Sequence, residues 1–68
     1  MTLQDQITEV QREIGLRRLV YPKFVARGQM TEGQATYHLA VMEAVLGTLT
    51  QMAGEAEQQE LFGGREEG

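Results

Sequence analysis

The side chains able to do chemistry here are ten carboxylates, six cations, one histidine, two tyrosines and four methionines. There is no cysteine and no serine, and no Gly-rich phosphate loop of the P-loop or dinucleotide type. Nucleophilic catalysis therefore finds no candidate residue set, and no catalytic residue is expected. His38 cannot build a metal site alone. Glu9 and Glu13, one helical turn apart, would hold a cation only with facing His, Asp or Glu partners. Solvated surface is the better account of both, and of Glu43. The expectation is a non-enzyme with no metal and no cofactor.

The cations are unevenly placed. Arg12, Arg17, Arg18, Lys23 and Arg27 stand against Glu13 alone between residues 11 and 30, whereas seven glutamates oppose only Arg65 from Thr31 onward. The overall charge is −4. A basic stretch of this kind could contact phosphates, yet the net acidity works against nucleic acid. Opposite charges on one small protein also suit contacts between copies. Tyr21 and Phe24 lie within the same stretch. Framed by Arg17, Arg18, Lys23 and Arg27, they offer either a docking surface or an apolar plug closing one end of a helical core.

Two helices must position these groups. Thr2 and Asp5 give a capped start, and Leu3, Ile7, Val10 and Ile14 recur at steps of four and three on one face. The register continues through Arg17, whose stem can cover carbon surface while its head reaches water, to Tyr21 and Phe24. Gly15 costs roughly 1 kcal/mol relative to Ala without ending the helix. Pro22 lacks an N–H and crowds the carbonyl four residues back. Helix 1 is therefore expected over about 3–21, with a kink at Pro22 and a short extension to 27. Gly28 is placed to cap it in the left-handed conformation.

Thr31 with Gln34 opens a second helix through a capping box. Ala35, Leu39, Met42, Leu46, Leu49, Ala53 and Ala56 then alternate without interruption, and Val41 and Val45 broaden the stripe. Met30, Met42 and Met52 read as gap-filling core residues, and His38 as a boundary residue beside the seam. Helix 2 is expected over about 32–56. Residues 57–68 are acidic, Gly-rich and aperiodic, and are expected to form a flexible tail.

Together these predict an all-α antiparallel helical hairpin in a single unit, 1–56. A chain of 68 residues buries only about 60% of its unfolded surface when it folds alone. Without disulfides or a metal, self-association is the stabiliser left. A four-helix bundle made by a C2 dimer is the first expectation, with a tetramer or a hetero-complex as alternatives. MTLQDQITEV lacks the basic start and apolar run of a secretory signal. No stretch approaches the length of about 18 apolar residues that crosses a bilayer. A cytoplasmic chain without a membrane partner is expected.

Two resemblances add context. Gln58-Gln59-Glu60-Leu61-Phe62 resembles the peptide by which many proteins bind the bacterial DNA polymerase sliding clamp. Gln58, Leu61 and Phe62 match that pattern, while Gln59 departs from the aliphatic residue often second. The resemblance implies an extended peptide whose Leu and Phe enter apolar pockets while the Gln is held by hydrogen bonds. Separately, the YPKFV of Tyr21–Val25, the GQMT of Gly28–Thr31 and the MEAVL of Met42–Leu46 look like small phage and prophage helical hairpin proteins. That resemblance implies a role in phage replication or in modulating a host protein, and it transfers no site residue. The expected function is therefore a small interaction protein, with the clamp as favoured partner. A nucleic-acid accessory protein using 12–27, or a subunit or inhibitor docking through its aromatic end, is the alternative.

Overall fold

The structure, a computed structural model, describes the backbone of residues 1–67 and the side chains of residues 1–56. Helix α1 spans Leu3–Ala26 and helix α2 spans Glu32–Glu67. The two lie antiparallel along each other as a hairpin, with no strand among the described residues.

Each helix begins where its side chains can satisfy the first orphan amides. The Thr2 hydroxyl accepts from the Asp5 amide at 3.0 Å, and the Asp5 carboxylate accepts from the Thr2 amide at 3.1 Å. At the second start the Thr31 hydroxyl accepts from the Gln34 amide at 3.0 Å, and the Gln34 side-chain oxygen from the Thr31 amide at 2.9 Å. Both are reciprocal capping boxes.

Helix α1 runs through Pro22 to Ala26. Pro22 leaves the Arg18 carbonyl without its helical donor. The turn around Pro22 nevertheless faces Ala35 and Leu39 of α2 across a groove shared with Tyr21, Val25 and Ala26. Packing of this kind overrides local propensity. The helix then stops at Gly28, which takes φ 74°. Its amide donates to the Val25 carbonyl at 3.0 Å, and the Gln29 amide donates to the Phe24 carbonyl at 2.9 Å. These two bonds make a Schellman cap, and the left-handed residue they require is where a side chain would be strained.

The core is thin. Among the described side chains only Ile7 and Ile14 are buried, at 6% and 5% exposure. Val10, Tyr21, Ala35, Leu39, Met42, Leu46, Leu49 and Ala53 along the same seam are half-buried. Leu16, Leu19, Tyr37, Val41, Val45 and Met52 are exposed. No helix is long and apolar enough to cross a membrane among the described residues.

Candidate interaction surfaces

The basic stretch is largely committed to carboxylates of the same chain. Arg12 donates to Glu9 at 2.6 Å and lies 3.6 Å from Glu13. Arg17 donates to the Glu13 carboxylate one turn earlier. Arg18 reaches across the hairpin to Glu43 at 2.8 Å. The Arg12–Glu9 and Arg17–Glu13 contacts follow from i, i+3 and i, i+4 spacing, which brings side chains together on one helix, unlike that of Arg18 with Glu43. The last exists only because the helices pack.

These contacts shift the ionisations in the expected sense. The Arg12 guanidinium, by hydrogen bond and then by charge, holds the Glu9 carboxyl below the usual carboxylate range. Arg12 is raised in turn, chiefly by its hydrogen bond to Glu9. Arg17 is raised, first by Glu13 and secondarily by the Tyr21 phenol. Among the described residues Lys23 and Arg27 form no ion pair. The five-cation patch read from the sequence thus leaves two cations for an outside anion.

The aromatic residues at the hairpin end line two grooves that meet at Tyr21. Tyr21 and Pro22 share one groove with Val25, Ala35, Thr36 and Leu39. Phe24 lines another with Glu13, Leu16, Arg17, Val20 and Tyr21. Both Tyr21 and Phe24 are half-buried. Tyr21 thus lines both grooves and Phe24 one of them. On α2, Tyr37 and His38 meet edge to face with ring centres 5.3 Å apart, and both are exposed.

No known protein family, curated protein or solved structure matches this chain.

Among the described residues no group of three His, Cys, Asp or Glu side chains could hold a metal ion. The side chains of Gln58, Leu61 and Phe62 lie outside the described ones; the backbone of residues 57–67, where a flexible tail was expected over 57–68, continues α2 as helix. Sequence reading found Val41 and Val45 broadening the stripe of α2 but missed Leu16 and Val20 on α1. Leu16 and Val20 stand one turn apart on α1, as Val41 and Val45 do on α2. Leu16, Val41 and Val45 are more than 40% exposed, and Val20 is half-buried. Their i, i+4 spacing was the available signal on α1, half hidden because the dominant stripe runs through Ile14 and Tyr21.

Proposed function

We propose that this chain is a small non-enzymatic interaction protein. Its helical hairpin pairs with a second copy into a four-helix bundle, and the Gln58–Phe62 segment is its partner-binding peptide. One observation carries the self-association. Among its described side chains the hairpin seals only Ile7 and Ile14 and leaves Leu16, Leu19, Tyr37, Val41, Val45 and Met52 in water. Isolated hairpins of this kind are marginal, and burying those side chains supplies stability at roughly 25 cal/mol per Å².

The ion pairs of Arg12, Arg17 and Arg18 weigh against a nucleic-acid role. Cations already matched by carboxylates release fewer counterions from a phosphate backbone. The partner-binding assignment rests on the resemblance of Gln58, Leu61 and Phe62 to a sliding-clamp peptide. A dimer would present two such peptides to one ring and gain avidity where the geometry lets both engage.

The test is calorimetric titration of the full chain into a bacterial sliding clamp, beside the Leu61→Ala/Phe62→Ala variant. Micromolar binding by the wild type, lost in a variant of unchanged helicity, is the expected result. Absence of heat with the wild type would reject the clamp as partner.

A further inference from the structure

The Arg18–Glu43 contact divides the hairpin into two sides. At about 100° per residue, positions two before and two after a given residue fall on the opposite side of its helix. Leu16 and Val20 flank Arg18 in this way, and Val41 and Val45 flank Glu43. Because Arg18 and Glu43 meet at 2.8 Å on one side, all four aliphatic residues lie together on the other. The side bearing the ion pair is a groove lined by Gln11, Thr50 and Gln51 together with Ile14, Leu46 and the glycines Gly15 and Gly47. The aliphatic side is the one that needs a cover.

Its charges are arranged about the same level. Glu13 and Lys23 lie equally far before and after Arg18, and so do Glu9 and Arg27. By the same angular rule all four fall on the aliphatic side of α1. At five and nine residues from Arg18 the sequence thus places a carboxylate on one flank and a cation on the other, the carboxylates being those that Arg17 and Arg12 of the same chain also contact. No charge interrupts the corresponding stretch of α2 between Gln34 and Met52, where Glu43 points to the other side.

We infer that the aliphatic face is covered by a second copy of this chain, related by a two-fold axis at the level of the Arg18–Glu43 pair. The proposal rests on the self-association proposed above and specifies its face, direction and register. The axis sets α1 antiparallel to the partner's α1 and α2 antiparallel to the partner's α2. Leu16 then meets Val20 of the partner subunit, and Val41 meets Val45 of the partner subunit. Glu13 meets Lys23 of the partner subunit, and Glu9 meets Arg27 of the partner subunit. One axis satisfies both helices because Arg18 and Glu43 stand at the same height.

The charges choose the orientation. A parallel pairing of α1 with α1 would set Glu9 against Glu9 and Arg27 against Arg27, which is repulsive. Exposed pairs add little affinity individually, but like-charge juxtaposition is an effective discriminator of register. The apolar layer supplies the attraction.

Cross-linking tests the register in the full chain, which has no native cysteine. Glu9→Cys and Arg27→Cys variants are prepared separately, mixed by unfolding and refolding, and treated with a short bismaleimide. In the proposed dimer the two positions face each other across helices about 8–10 Å apart. Residue 9 of one copy is displaced from residue 9 of the other by about 27 Å along the axis. The expected result is a cross-linked dimer from the mixture and none from either variant alone, with light scattering giving twice the chain mass for all three samples. A dimeric mass without the mixed cross-link, or with efficient cross-linking in either variant alone, would overturn the register and leave self-association standing. A monomeric mass for the wild-type chain at tens of micromolar would overturn both.

Discussion

At the scale of single residues, the consequences follow from how little is sealed. Ile14 is one of two buried side chains among those described, so Ile14→Ala removes a large share of the inner packing. The expected loss is about 2–5 kcal/mol, measured by thermal melting followed by circular dichroism. Gly15 and Gly47 are helical, and a Cβ at either meets nothing within 4 Å. Gly15→Ala and Gly47→Ala, made singly, should each raise stability by roughly 0.5–1 kcal/mol. Gly28 also has open space, but its φ of 74° makes Gly28→Ala destabilising by about 1 kcal/mol. Glu9 adds a pH dependence. Its folded-state ionisation lies below the usual range because Arg12 stabilises the carboxylate. Its contribution is therefore complete above the unfolded carboxylate range and is lost as pH falls through the lower folded value. Because the pair is exposed, the effect is small and salt-sensitive. Glu9→Gln should flatten the acid limb of a melting-temperature profile slightly, and less so in high salt.

At the scale of the helices, the ends are set locally and the middle is not. Two capping boxes and a Schellman cap account for the start of both helices and the end of α1. Their residues are contiguous in sequence, which is why Thr2, Gly28 and Thr31 were legible from it. Thr31→Ala should lower stability by about 1 kcal/mol and fray the start of α2, visible as faster amide exchange over its first turn. Pro22 behaves otherwise. Local rules favour an end or a kink there, yet helical backbone continues to Ala26, where Tyr21, Val25 and Ala26 share a groove with Ala35 and Leu39. Pro22→Ala restores a donor to the Arg18 carbonyl. It should stabilise the hairpin by roughly 1–3 kcal/mol, seen as a higher melting temperature with unchanged mass in light scattering.

At the scale of the whole molecule, the hairpin is an incomplete core with one apolar face and one polar face. If that apolar face is covered by a second copy, folding and association are linked, and the melting temperature rises with protein concentration. Melting at concentrations spanning about two decades checks this directly. Leu16→Asp should abolish the concentration dependence and lower the melting point at high concentration. A charge on the polar side, such as Thr50→Lys, should leave the dependence in place.

What the sequence determined by itself is everything governed by neighbours three or four residues apart. That includes two amphipathic helices, their caps, the turn at Gly28 and the seam from Ile7 and Ile14 to Leu39 and Leu46. It also includes the spacing that lets Glu9 and Glu13 hold Arg12 and Arg17. Tertiary structure alone decided how far each helix is rotated against the other. That rotation depends on packing between residues distant in the chain, such as Arg18 and Glu43, whose spacing carries no periodic signal. It paired Arg18 with Glu43, set Tyr21 between two grooves with Phe24 in one of them, and left Leu16, Val41 and Val45 exposed. A hydrophobic pattern states that a helix has a second stripe; only a neighbouring helix decides which side of the molecule that stripe will face.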